Sequence, residues 1–72
     1  MPLGTDIKVQ FGRRLRELRQ ARGLSQEELG YRAGLHRTYV SSTERGERNV
    51  SLVNIERLAN ALDVNIREFF PS

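Results

Sequence analysis

The sequence has no cysteine, no tryptophan and a single histidine among its 72 residues. Without cysteine, neither a disulfide framework nor a cysteine-ligated zinc site can form, and a reducing compartment is compatible with the composition. His36 alone cannot build a metal site, because such sites need several ligands. We therefore expect neither a metal nor a cofactor.

Long apolar runs are missing as well. No stretch approaches the roughly 20 apolar residues of a membrane span, and the opening letters MPLGTD lack the basic and apolar regions of a signal peptide. The chain is therefore predicted to be cytoplasmic and to have no membrane partner. Its length predicts one domain over residues 1–72, with a core worth no more than about 3–5 kcal/mol, so oligomerisation is also expected.

Lysine is nearly absent from a basic chain. Of the 12 basic residues only Lys8 is lysine, and the net charge is +3. Residues 1–48 carry ten basic and six acidic side chains, whereas the remainder carries two and three. Arginine favours bidentate contacts with phosphate or guanine, which predicts a nucleic-acid face in the first two thirds. A merely solvated arginine-rich surface fits the charge equally well.

Helical spacing and caps predict an all-α fold of five helices. A first helix runs from about Asp6 to Arg22, on the spacing of Ile7, Phe11, Leu15 and Leu18. Ser25 and Glu28 form a capping box that begins a second helix, and Gly34 is the left-handed stop after it. A third helix is expected at about 35–45, and a fourth follows the cap Ser51. A last short helix holds Ile66, Phe69 and Phe70.

The second and third helices and the turn between them fit a DNA-binding helix-turn-helix motif at about residues 25–45. Gly30 lies on the side of the second helix that faces the third and permits a close crossing. A plain αα-hairpin in a helical bundle has the same spacing. The third helix is rich in hydroxyl and β-branched residues, which weaken a helix but suit a small, polar surface that enters a groove.

The chain resembles the Cro/repressor-type (XRE) helix-turn-helix family from about Lys8 to Phe70. The residues that carry the resemblance keep the spacing of that family: Gln26, Leu29, Gly30, Gly34, Glu44, Gly46, Leu58, Ala59, Ala61, Leu62 and Val64. The stretch RTYVSSTERGERN is most similar to the recognition region of restriction-modification controller proteins. The resemblance implies a five-helix, lambda-repressor-like domain and a salt bridge between Arg19 and Glu44. Gly30 stands where alanine is usual, and Thr43 where a buried aliphatic residue is usual.

The exposed side of the third helix holds the residues expected to read bases: Arg37, Thr38, Ser41 and Ser42. Arg37 is expected to bind guanine through O6 and N7, although a phosphate contact or a solvated side chain is also compatible with its position. Thr43 either packs loosely or bonds back to the helix through its hydroxyl.

Another set of residues is expected to contact DNA phosphates: Gln26, His36, Tyr39, Arg45, Arg48 and Asn49. Tyr39 fits half-buried packing equally well. Residues 64–70 are the expected dimerisation element, with Ile66, Phe69 and Phe70 at the interface; alternatively, both aromatic residues complete the monomer core. Residues 1–5 are predicted to form a flexible arm.

These features predict a sequence-specific regulator of transcription that binds double-stranded DNA as a homodimer on a palindromic operator, of the restriction-modification controller type. RNA polymerase is a further candidate partner. A phage-type or antitoxin-like repressor is the near alternative, and a protein-interaction module without DNA binding is an alternative of another class. An enzyme is the weakest interpretation, because His36, Ser41, Ser42 and Asp63 supply the letters of a hydrolase triad without a visible pocket.

Overall fold

The computed structural model describes residues 6–71, and this part of the chain is helical and contains no strand. It holds four α-helices followed by a 3₁₀ helix: α1 at Ile7–Ala21, α2 at Gln26–Ala33, α3 at Arg37–Glu44, α4 at Leu52–Leu62 and the 3₁₀ helix at Ile66–Phe69. None of these helices is long and apolar enough to cross a membrane. The predicted arm, residues 1–5, lies outside the described residues.

Side-chain caps begin the helices where the sequence predicts. At α2, Glu28 N–H donates to Ser25 Oγ at 3.0 Å, and Ser25 N–H donates to Glu28 Oε1 at 2.8 Å. The predicted capping box is therefore confirmed. Ser51 Oγ accepts from Asn54 N–H at 3.2 Å and caps α4 in the same way. Each bond satisfies a backbone donor that has no partner within the helix.

The expectation of five α-helices is wrong at the C-terminal end. Residues Ile66–Phe69 form one 3₁₀ turn, capped by Asn65 and closed by a bond from Phe70 N–H to the Arg67 carbonyl at 3.0 Å. The cap at Asn65 fixes the start of this segment. Pro71 has no N–H to donate and limits its end, so the few residues between them form a 3₁₀ turn and not an α-helix.

The hydrophobic core lies between α1, α2, α4 and the inner side of α3, and the 3₁₀ helix closes it. Its buried members come from all five elements and one loop: Phe11, Leu15, Leu24, Leu29, Ala33, Val40, Leu58, Ala59, Leu62 and Phe69. The Phe69 ring lies 4.8 Å from the Phe11 ring, and the Phe69 side chain is only 2% exposed. Phe69 thus belongs to the monomer core and is not available at a surface, contrary to its predicted place in a dimer interface.

Two glycines bring backbone segments together around α3. A Cβ atom added to Gly12 would overlap the carbonyl oxygen of Thr43, so α1 can cross α3 at this distance only without a side chain. A Cβ atom on Gly30 would lie 2.5 Å from the Leu35 carbonyl oxygen in the turn before α3. The predicted close approach at Gly30 is confirmed, and Gly12 supplies a second one.

Thr43 is buried on the inner side of α3. Its Oγ1 donates to the Tyr39 carbonyl at 2.7 Å, which is one of the two alternatives that the sequence left open. Because the hydroxyl is bonded within the helix, this buried polar residue can stand where an aliphatic one is usual without an unsatisfied donor.

Candidate nucleic-acid interface

The exposed side of α3 starts with a histidine cap. His36 Nδ1 accepts from Thr38 N–H at 3.1 Å and lies 2.9 Å from Thr38 Oγ1. The cap stabilises a helix whose composition is unfavourable, and burial of Val40 and Thr43 holds its inner side. His36 is expected to contact phosphate. Its Nδ1 is used by the helix cap, and its Nε2 remains for a phosphate oxygen.

Arg37 is the first residue of α3, and its side chain is exposed. None of the ion pairs within residues 6–71 involves it. A long cation at the N-terminal end of such a helix is placed where base edges lie closest when the helix enters a major groove.

The three hydroxyl residues expected to read bases already have partners inside the protein. Thr38 Oγ1 pairs with His36, and Ser41 Oγ accepts from Arg45 Nη1. Ser42 Oγ donates to the Thr38 carbonyl at 2.8 Å. These bonds fix how each hydroxyl is oriented and leave Arg37 as the most adaptable group on this surface.

A buried ion pair behind α3 connects three helices. Arg19 of α1 binds Glu44 of α3 through Nε at 2.6 Å and Nη2 at 3.0 Å, as the sequence resemblance implies. The two side chains are 11% and 4% exposed, and Arg19 also donates to the Leu24 carbonyl at 2.8 Å. Hydrogen bonding to Glu44 raises the pKa of Arg19 above its ordinary value, against the opposing effect of burial.

Gln26 of α2 joins this ion pair, since its Nε2 donates to Glu44 Oε1 at 3.0 Å. The amide nitrogen carries two N–H groups, so one of them remains for a phosphate oxygen. The predicted phosphate contact of Gln26 is thus compatible with its structural bond to Glu44. The pair neutralises the one acid that lies within α3.

Arg45 and Glu47 form an exposed pair in the loop after α3. The distances are 3.0 Å for Nε to Oε2 and 3.2 Å for Nη2 to Oε1. Hydrogen bonding between them raises the pKa of Arg45 and lowers the pKa of Glu47. These bonds and the one to Ser41 use three of the five N–H groups of Arg45, so one N–H on each terminal nitrogen remains for a DNA phosphate.

Arg48 lies against the C-terminal half of α3. Its guanidinium carbon is 4.6 Å from the centre of the Tyr39 ring, and its Nε donates to Ser42 Oγ at 2.7 Å. Asn49 is exposed beside it. The Tyr39 ring is half-buried and packs against this arginine, and its contact with a phosphate stays a prediction.

Sequence reasoning missed several surface residues. Tyr31 of α2 is 88% exposed next to the start of α3, and Leu52 and Val53 are exposed at the start of α4. Tyr31 lies two positions after the buried Leu29, and this spacing could have revealed its outward direction. Leu52 follows the apolar spacing of α4, so periodicity alone could not separate it from the core.

Comparisons with known proteins agree with this geometry. Residues 10–69 match the family model described as a helix-turn-helix domain. The chain is 47% identical over 66 residues to the control protein C.MunI of Mycoplasma sp. The aligned region covers 90% of this chain and 89% of that protein. It is 45% identical over 64 residues to the control protein C.BamHI of Bacillus amyloliquefaciens, covering 88% and 79%. Among solved structures, the restriction-modification controller protein C.AhdI from Aeromonas hydrophila matches with a TM-score of 0.86 and 63% identity, over 88% of this chain and 96% of that chain.

Proposed function

Since the chain belongs to the helix-turn-helix domain family, we propose that it regulates transcription by placing α3 in the major groove of double-stranded DNA. Its relatives include restriction-modification controller proteins. The observation that carries this proposal is the arrangement of α2, turn and α3 with Arg37 exposed at the start of α3. An α-helix fits the major groove of B-DNA and presents its N-terminal residues to the bases.

Base recognition in this proposal centres on Arg37. Its guanidinium binds O6 and N7 of a guanine, a contact worth about 1–3 kcal/mol of discrimination against another base. Thr38 and Ser41 are short enough to let the helix approach closely, and the Thr38 methyl group can contact a thymine methyl. The Thr38 hydroxyl is oriented by its bond to His36, and the Ser41 hydroxyl by its bond to Arg45.

Phosphate contacts surround α3 and fix its position. Gln26 offers its second amide hydrogen at the start of α2, and His36 offers Nε2 at the start of α3. Arg45, Arg48 and Asn49 act from the loop that follows. Contacts of this kind set the register of the protein on DNA without reading sequence.

Two copies bind together in this proposal, on a palindromic operator with half-sites about 34 Å apart. Apolar side chains are left exposed on α4 and at the C-terminal end, where Ile66 is 42% and Phe70 is 45% exposed. Burial of Leu52, Ile66 and Phe70 between two copies would add to a core that is small for one copy. Occupancy of the operator then controls how RNA polymerase uses the promoter.

Selection of bound duplexes from a random library tests the proposal. We expect enrichment of a palindrome and an affinity that falls steeply with salt, because neutralised phosphates release counterions. The Arg37→Ala variant should lose preference at one base position in each half-site. Arg57→Ala, which removes an equal charge from the exposed side of α4, should keep that preference. Failure to enrich a palindrome, or salt-independent binding, would instead favour a protein-interaction module.

A further inference from the structure

Ser42, in the C-terminal half of α3, has a role other than base reading. We infer that Ser42 is a positioning residue that holds Arg48 ready for a DNA phosphate. The inference rests on the proposed DNA-binding function and assigns a separate task to one residue of that surface.

The hydroxyl of Ser42 has little capacity left for a base. A serine hydroxyl offers one hydrogen and two lone pairs. The hydrogen is directed to the Thr38 carbonyl at 2.8 Å, with the Tyr39 carbonyl at 3.2 Å, and one lone pair accepts from Arg48 Nε at 2.7 Å. The donor is therefore used within α3, and the Arg48 guanidinium occupies one of the two acceptor positions.

Arg48 is fixed at two points and free at its end. Its Nε is bound to Ser42, and its guanidinium lies over the Tyr39 ring at 4.6 Å. None of the ion pairs within residues 6–71 involves Arg48, and the residue is exposed. The two terminal nitrogens keep their N–H groups, and such a pair matches the two oxygens of a phosphate.

The backbone of the loop is held at the same residue. Glu47 N–H donates to the Ser42 carbonyl at 3.0 Å, one residue before Arg48. Glu47 also lines the shallow depression formed by Tyr39, Ser42 and Arg48, but its carboxylate is bound to Arg45. The Glu47 carboxylate is thus paired with Arg45, and it forms no ion pair with Arg48.

Such fixing matters because a free arginine loses rotamer freedom when it binds. A side chain that already has its bound direction loses less, so the same phosphate contact gives a higher affinity. Sequence specificity should not change, since a phosphate is the same for every base pair. This separates the role of Ser42 from that of Arg37.

The free protein provides the first test, without DNA. In NMR spectra of the wild type, the Arg48 Nε–H signal should be resolved and protected from exchange with water. Ser42→Ala should lose this protection, and Ser42→Thr, which retains a hydroxyl, should restore it. The melting temperature of Ser42→Ala should not fall below that of the wild type, because alanine has a higher helix propensity than serine. Unchanged protection in Ser42→Ala would overturn the inference, whatever the behaviour with DNA.

The second test is a double-mutant cycle on duplex affinity at several salt concentrations. Arg48→Ala should reduce the slope of log affinity against log salt by about one. Ser42→Ala should weaken binding roughly two- to tenfold for every duplex, as expected for one lost hydrogen bond, and should cost nothing further in the Arg48→Ala background. The matched control is Ser41→Ala, whose hydroxyl binds Arg45; its effect should add to that of Arg48→Ala.

Two outcomes separate the inference from the function on which it rests. If the wild type binds no duplex, the proposed function fails and the inference fails with it. If the wild type binds but Ser42→Ala changes base preference, Ser42 reads a base. If the effect of Ser42→Ala instead adds fully to that of Arg48→Ala, Ser42 acts independently of Arg48. Either outcome overturns only the inference.

Discussion

At the scale of single residues, Glu44 is an acid placed beside a surface that has to attract phosphate. Its charge is compensated on both oxygens, since Arg19 binds both and Gln26 binds one of them. Burial at 4% exposure also keeps it away from solvent and DNA. The carboxylate can thus organise three helices without repelling DNA.

Glu44→Ala should lower the free energy of unfolding by about 3–5 kcal/mol, because it leaves the buried Arg19 charge without a carboxylate and with only the Leu24 carbonyl as acceptor. Urea denaturation at neutral pH measures this loss. Glu47→Ala is the control, since it breaks a fully exposed ion pair with Arg45 and should change stability little. Equal stability of the two variants would show that the buried pair has no structural role.

At the scale of helices, the capping box of α2 predicts a dependence of stability on pH. The backbone N–H of Ser25, followed by its side chain, lowers the pKa of Glu28 below the ordinary value of 4.5. A lowered pKa in the folded state means that the contribution is complete above the ordinary pKa and is lost as the pH falls through the folded value.

We therefore expect Glu28→Ala to be less stable than the wild type at neutral pH, and the difference to shrink as the pH falls below 4.5 and through the lowered pKa of Glu28. Melting temperatures across this range provide the measurement. Glu27→Ala removes a neighbouring acid from the same first turn without breaking the bonds to Ser25, so its difference from the wild type should be the smaller one at neutral pH. A constant difference for Glu28→Ala at all pH values would contradict the lowered pKa.

The crossing of α1 and α3 makes a prediction about Gly12. Alanine is favoured over glycine inside a helix by about 1 kcal/mol, yet a Cβ atom here would meet the carbonyl oxygens of Thr43 and Glu44. Backbone atoms cannot rotate away as a flexible side chain can, so Gly12→Ala should destabilise the protein by about 1–3 kcal/mol. Arg13→Ala, at the next, exposed position, should be neutral. Thermal denaturation compares the two, and a stabilised Gly12→Ala would mean that α3 can shift.

Local signals in the sequence predicted the helices, but they could not predict contacts that come from distant positions. The capping box and the left-handed Gly34 are short-range features and were predicted correctly. A small core favours Phe69 at a dimer interface over its alternative in the monomer core, whereas the contact that decides for the core is with Phe11, far away in the chain. Helical position predicts Ser42 as a base reader on the outer side of α3, whereas the structure shows it half-buried and bonded to Arg48 from the following loop. The Arg19–Glu44 pair was predicted only through family resemblance.

At the scale of the whole molecule, the length of α3 limits what one copy can read. Eight residues at about 1.5 Å each give a helix of roughly 12 Å, which spans only three to four base pairs. So short a site recurs often in any genome, and specificity needs a second copy. A second copy would therefore supply specificity that one copy lacks, and the exposed apolar side chains offer a surface on which it could bind.

The structure changes how the dimer should be tested. Phe69→Asp would place a charge in the monomer core and unfold the protein, so its effect on mass would say nothing about an interface. Ile66→Asp changes an exposed residue, and it should convert a wild-type dimer to a folded monomer in sedimentation equilibrium without loss of helical circular dichroism. Tyr31→Asp, at the exposed aromatic of α2, is the control that should remain dimeric.

The same Ile66→Asp variant should bind a single half-site as the wild-type monomer does, but it should lose the advantage of a palindrome over a half-site, because the second copy no longer adds its contacts. A variant that stays dimeric would place the interface elsewhere, with the exposed Leu52 and Val53 on α4 as the next residues to change. A wild type that is monomeric both free and on the palindrome would remove the dimer from the proposal. The role of Arg37 in reading a half-site would then still be decided by the base preference of Arg37→Ala.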